Sequence, residues 1–159
     1  MTSSFAPENP PPKETTIMSD SLYTAIATST GDGRAGGRTT SDDGLIDLTL
    51  AIPGEMGGPG GATNPEQLFA AGWAACFHSA LKAVAAGQKI TFTDSAVVAE
   101  VSVHPTEQGG FSLGAALHVE FRGIDQDSAD SLVAAAHAVC PYSNATRGNI
   151  PVTVDTTVA

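Results

Sequence analysis

Thr63-Asn64-Pro65-Glu66-Gln67-Leu68-Phe69-Ala70-Ala71-Gly72-Trp73-Ala74-Ala75-Cys76-Phe77 opens the stretch that decides the fold. Asn64 suits an N-cap, Pro65 the first helical position, and Glu66 the positive end of a helix. The helix is expected to run to about Ala86, with Gly87 closing it. Its middle is alanine, glycine and aromatics with few charges. A surface helix would alternate with polar residues, so this composition predicts a central helix buried nearly all round.

Around it the pattern is β. Leu22 to Ser29 alternates loosely and reads as a strand, and Leu45 to Ile52 alternates clearly, with Ile46, Leu48 and Leu50 on one face. Between them lie a glycine-rich turn carrying Arg34 and Arg38, and a second turn at Ser41-Asp42-Asp43-Gly44. Pro53 to Gly61 is also glycine-rich but lacks the Gly-Lys-Ser/Thr ending of a phosphate-cradling loop, so it reads as a connector. Ala96 to His104 and Phe111 to Arg122 follow as strands joined by a turn at Gly109-Gly110. A second helix starts at Asp127-Ser128 and stops at Cys140, because Pro141 cannot continue it. Val152 to Thr157 is a last short strand. The order β-β-α-β-β-α-β argues for an α+β fold rather than a doubly wound parallel sheet.

Composition narrows the function. The 159 residues suffice for one domain, expected over residues 21–159, behind a disordered tail over residues 1–20 that contains Pro10-Pro11-Pro12. The tail has neither the positive start nor the apolar stretch of a secretory signal, so the expected compartment is cytoplasmic. No uninterrupted apolar run reaches roughly 18 residues, so no membrane span is expected. A formal charge of −10 disfavours nucleic acid and anionic lipid surfaces as partners.

Only two cysteines are present, Cys76 and Cys140. In a reducing compartment a permanent disulfide is rare, whereas a transient catalytic one is not. A thiol attacks as the thiolate, which needs a cation or a helix dipole nearby. Cys76 lies too deep in its own helix for the N-terminal dipole to act, so a folded-in cation is required, from Arg34, Arg38, Lys82, Lys89, Arg122 or Arg147. Phe69, Gly72, Trp73 and Ala80 share the face of Cys76. Phe69 and Trp73, with the adjacent Phe77, could make an apolar approach for a substrate; ordinary core packing is the competing reading. A zinc site from Cys76, His78, His137 and Cys140 fails on geometry, since Cys76 and His78 point to opposite sides of a helix. No metal or cofactor is expected.

Two stretches carry a resemblance. Asn64 to Gly72 with Ala75-Cys76-Phe77 resembles the first cysteine motif of organic hydroperoxide resistance proteins, and Val139-Cys140-Pro141-Tyr142-Ser143-Asn144-Ala145-Thr146-Arg147-Gly148-Asn149-Ile150 resembles their second. These proteins belong to the osmotically inducible protein C superfamily, and the similarity runs from about Leu22 to Val154. It implies an α+β fold with antiparallel-rich sheets around the central helix. It also implies a thiol peroxidase acting on organic hydroperoxides, fatty-acid ones included, and recycled by a lipoylated protein or another dithiol. By that resemblance Cys76 is the peroxidatic thiol, Cys140 the resolving one, Glu66 the active-site glutamate and Arg34 the arginine, with Arg38 the alternative. Trp73 stands where tyrosine is usual. The competing class is a non-enzymatic binding domain whose cysteines pack or form a structural bridge.

Helix geometry adds a constraint. Glu66 and Cys76 are about 15 Å apart along a continuous helix, and an arginine reaches only about 7 Å from its Cα. One guanidinium cannot touch both within one chain. Either the helix is kinked near Gly72, or an intertwined homodimer completes each Cys76 site with Glu66 of the other chain. The dimer is the expectation.

Overall fold

The computed structural model describes residues 21–159; the tail expected over residues 1–20 lies outside them. The architecture is α+β. A larger sheet has the order β4-β5-β6 (Asp94–Pro105, Phe111–Arg122, Val152–Val158), and a smaller one the order β1-β2-β3 (Ala27–Thr30, Arg38–Ser41, Asp47–Thr49). All pairings are antiparallel except β5 with β6. The helices are α1 (Pro65–Gln88), α2 (Gln126–Val139) and α3 (Pro141–Thr146).

Helix α1 begins as the sequence dictates, with Asn64 Oδ1 accepting from the Gln67 N–H at 2.9 Å. It ends two residues later than Gly87 suggests. Lys89 takes the left-handed conformation at φ 57°, its N–H bonds Ala86 O, and the Ile90 N–H bonds Ala85 O. This closing motif delivers Ile90 to the core, and that burial fixes the helix end in place of glycine's freedom.

Trp73, Phe77, Leu81 and Ala85, spaced four residues apart, form the buried stripe of α1. They pack against Leu117, Val119 and Phe121, alternate residues on one face of β5, and against Ala129, Leu132, Val133 and Ala136 of α2. By length and composition alone α1 could cross a membrane, but here this stripe makes it the core helix. The expectation of burial nearly all round is corrected for the single chain. The opposite face, with Ala71, Ala75, Ser79 and Ala86, is exposed, because the larger sheet, α2 and α3 leave that side uncovered.

The N-terminal strands are shorter than their alternation predicts. Leu22, Tyr23 and Ile26 precede β1 and stay exposed, and the strand expected over Leu45 to Ile52 narrows to Asp47–Thr49, with Leu50 turning inward. Arg38, read as part of a turn, instead opens β2. Its guanidinium binds the Asp47 carboxylate through two hydrogen bonds across the β2–β3 pair. Near the C-terminus Asp125, two residues before the expected start, caps α2 by accepting from Ser128 N. Pro141 ends α2 and also starts α3, since its fixed φ suits a first helical position.

Candidate active site

Cys76 sits mid-way along α1, and Cys140 at the joint where α2 gives way to α3. Their sulfurs are 3.8 Å apart, both as free thiols. Cys140 is fully buried, whereas Cys76 keeps partial exposure. Burial pushes the Cys76 thiol up from its ordinary pKa. The backbone N–H of Tyr142 works the other way, and neighbouring Cys140 raises it further. Among the described residues no cation contributes to the shift.

The arginine is elsewhere. Arg34 lies in a 3-10 turn, Gly33–Ala35, inside a tight loop. Gly37 lets that loop close, because a Cβ there would stand 2.3 Å from Thr30 O. The fold turns Arg34 onto the first turn of α1, where its Nη2 donates to Glu66 Oε1 at 2.6 Å. Arg34 is 38% and Glu66 16% exposed. Glu66 Oε2 is buried with no hydrogen-bond partner among the described residues, a carboxylate oxygen in a position to accept. The pair borders an apolar cavity of about 480 Å³, whose walls include Met56, Val103 and Phe111.

The four expected catalytic residues thus form two pairs, Cys76 with Cys140 and Arg34 with Glu66. Helix α1 is unbroken from Pro65 to Gln88, so the kinked-helix route to joining them within one chain is closed. Of the two arginines, Arg34 meets Glu66 and Arg38 is engaged with Asp47.

The three aromatic candidates divide. Phe69 is partly buried, edge-on to Trp73 at 5.6 Å and tilted against Tyr142 at 5.9 Å. Trp73 and Phe77 are 0% exposed. Assigning those two to substrate binding is corrected: both are packed in the core, Trp73 bonded to Ser143 of α3 and Phe77 beside His137 of α2, and they present no surface to a ligand. The walls beside Glu66 come instead from Met56, Val101, Val103 and Phe111, which the sequence reading missed. An apolar Phe111 at a hairpin end, 72% exposed, was the available signal. His78 bonds Ser95 at 2.9 Å and His137 bonds Ser143 at 3.0 Å, so the two histidines serve different partners. Burial lowers the pKa of both.

Known proteins share this arrangement of sequence and fold. A family model described as OsmC-like protein matches residues 58–155. The organic hydroperoxide resistance protein of Xanthomonas axonopodis pv. citri is 50% identical over 139 residues, 84% of this chain and 93% of the relative. The chain belongs to the organic hydroperoxide resistance proteins of the OsmC-like family. Solved structures of this family agree on the fold. A Legionella pneumophila organic hydroperoxide resistance protein superposes with a TM-score of 0.83 at 51% identity, covering 88% of this chain and all of the other. The Bacillus subtilis organic hydroperoxide resistance protein OhrB does so with a TM-score of 0.77 at 46% identity, covering 86% and 99%.

Proposed function

We propose that this protein is a cysteine-based peroxidase that reduces organic hydroperoxides to alcohols. The observation that carries the reading is the thiol pair: two sulfurs 3.8 Å apart, 64 residues apart in sequence, one reachable from solvent and one not. The Cys76 thiolate attacks one oxygen of the hydroperoxide. The O–O bond breaks, the alcohol leaves with a proton, and Cys76 becomes a sulfenic acid. Cys140 then attacks that sulfur. An S–S bond forms, the S–O bond breaks, and the hydroxyl departs as water with the Cys140 proton. A dithiol, for example on a lipoylated protein, reduces the Cys76–Cys140 disulfide by exchange. The buried Cys140 directs the incoming thiol to Cys76.

Burial raises the Cys76 pKa and no cation among the described residues offsets it, so the activating cation is taken to come from a second chain. The Arg34–Glu66 pair of a second copy supplies it in a homodimer with two equivalent sites. The open small-residue face of α1 supports this partner. So do the exposed Leu22, Tyr23, Ile26, Leu45 and Ile46 beside the small sheet. The cavity next to Glu66 gives the apolar part of a hydroperoxide, fatty-acid chains included, a place to be buried. Glu66 Oε2 can accept from the hydroperoxide O–H. Hydrogen peroxide gains nothing from the apolar walls, so bulky organic peroxides are preferred.

A second reading, a binding domain with a structural cysteine bridge, is favoured only by the full burial of Cys140. Mass spectrometry after one equivalent of cumene hydroperoxide separates the two. Cys76→Ser is expected to consume none, and Cys140→Ser to take one turnover and stop at a Cys76 sulfenic acid. Cumene hydroperoxide is expected to show the larger kcat/KM of the two peroxides. First oxidation at Cys140, or equal kcat/KM for hydrogen peroxide, would overturn the reading.

A further inference from the structure

The joint that carries Cys140 is held by more than its backbone. Cys140 N–H bonds Ala136 O at 2.8 Å and Cys140 O accepts from Asn144 N at 2.9 Å, so the residue is shared between α2 and α3. Those bonds follow each helix and leave the angle between the helices free. A fully buried hydroxyl fixes that angle. Ser143, three residues after Cys140 in the first turn of α3, has its Oγ 3.0 Å from His137 Nδ1 in the last turn of α2. The same oxygen accepts from Trp73 Nε1 at 3.4 Å. Trp73 lies three residues before Cys76 on α1, on the face that carries the thiol. Arg147 spans the joint again, donating from Nη2 to His137 O at 2.6 Å.

The donor count agrees. An indole N–H only donates, so Ser143 accepts from Trp73 and has its own proton left for an imidazole nitrogen that accepts. This needs the neutral His137 with its proton on Nε2, the charge state that its partial burial favours. The Trp73 N–H, the Ser143 hydroxyl and His137 Nδ1 are then each engaged.

We propose that Ser143 is a positioning residue for disulfide formation, its hydroxyl tying α3 to both α1 and α2 so that Cys140 is held against Cys76. The proposal rests on the peroxidase reading for its biological use, but not for its test. Forming the bond requires the sulfurs to approach from 3.8 Å to about 2.05 Å, a movement small enough to be controlled one turn away. Freed from the clamp, α3 tilts about the joint and Cys140 spends less time within reach. The sulfenic acid then waits longer, which exposes Cys76 to a second oxidation.

The experiment compares wild type with Ser143→Ala, Trp73→Phe, His137→Ala and His137→Asn, each verified as folded by circular dichroism. In a glutathione redox buffer, without peroxide, the equilibrium between dithiol and disulfide measures the effective concentration of Cys140 at Cys76. Ser143→Ala and His137→Ala are expected to lower it about tenfold. His137→Asn restores it, because its carboxamide can still pair with the Ser143 hydroxyl. With cumene hydroperoxide, formation of the sulfenic acid stays within about twofold of wild type while its conversion to the disulfide slows about tenfold. A general loss of structure would slow both steps and would not be rescued by asparagine. If Ser143→Ala does not fold, Trp73→Phe, which removes one N–H and keeps an aromatic ring, is expected to show the same selective slowing. Wild-type disulfide formation in both folded variants would overturn the proposal, as would a wild-type pair that forms no disulfide in the buffer. Disulfide equilibria that respond as expected, with no reaction toward peroxide in any variant, would instead leave the clamp standing and remove the peroxidase reading.

Discussion

Oxidising Cys76 and Cys140 to a disulfide should stabilise the fold, but by much less than the length of the loop allows. The bond would close a loop of 64 residues, 140 − 76. In the chain-entropy model that loop is worth at most about 4 kcal/mol. Against this stands the native geometry. The reduced fold holds the sulfurs 3.8 Å apart, so about 1.8 Å must be closed to reach a bond of about 2.05 Å. The displaced atoms belong to a fully buried residue at a hydrogen-bonded joint, and to a helix locked into the core by Trp73 and Phe77. Distortion is expected to consume roughly half the ceiling, leaving a gain of about 2 kcal/mol. For a domain of this size that is a rise in Tm of about 6 °C, against about 12 °C for an unstrained staple. The assay is thermal unfolding of fully reduced and fully oxidised protein at one chain concentration, since dimerisation would otherwise shift Tm by mass action. Linkage gives the number its meaning: what the bond adds to the fold, the fold adds to the bond's resistance to reduction. A gain at or above about 4 kcal/mol would mark a structural staple and refute the reasoning.

Two further perturbations follow. Gly72→Ala places a Cβ 3.0 Å from Tyr142 Oη and 3.2 Å from its ring. Tyr142 is 37% exposed and its phenol end can yield, so removing glycine from the helix should raise stability by about 0.5 kcal/mol. A lowered Tm would show that the ring cannot move. The second concerns pH. Burial is the first cause that lowers the pKa of both His78 and His137; Lys82 adds to it at His78 and Arg147 at His137. The unfolded chain therefore binds more protons as pH falls from about 6.5 toward the depressed values, and stability falls over that window. Urea midpoints between pH 8 and pH 5 should show the decline, and His78→Gln with His137→Asn should flatten it. An unchanged slope would contradict the assignment.

The parts of this molecule that local chemistry dictates were legible in the sequence. The Asn64-Pro65 start of α1 and the bounds of β5 follow from a cap, a proline and a clean alternation. The two cysteine motifs were equally plain. What escaped was set by contacts distant in sequence. Lys89 ends α1 because Ile90 is drawn into the core, which no local signal announces. Trp73 and Phe77 share a helix with Cys76, and spacing alone could not say whether they face a substrate or the core. Proline 141 stops one helix and starts another, and only the second role places Ser143 under Trp73. Resemblance alone prefers Arg34 to Arg38, and only the fold shows one against Glu66 and the other against Asp47. The apolar walls beside Glu66 come from separate elements, so no single stretch of sequence reveals them.

The central claim is that the Cys76–Cys140 pair of one chain works with the Arg34–Glu66 pair of another. Subunit mixing tests it most directly. Cys76→Ser and Glu66→Ala chains are each expected to be inactive alone. Random exchange makes half the dimers mixed, and in each of these one site holds both an intact Cys76 and an intact Glu66 from the opposite chain. Activity toward cumene hydroperoxide should therefore recover to about a quarter of wild type per chain. No recovery after exchange has been verified by native mass spectrometry, or a monomer by sedimentation, would contradict the account.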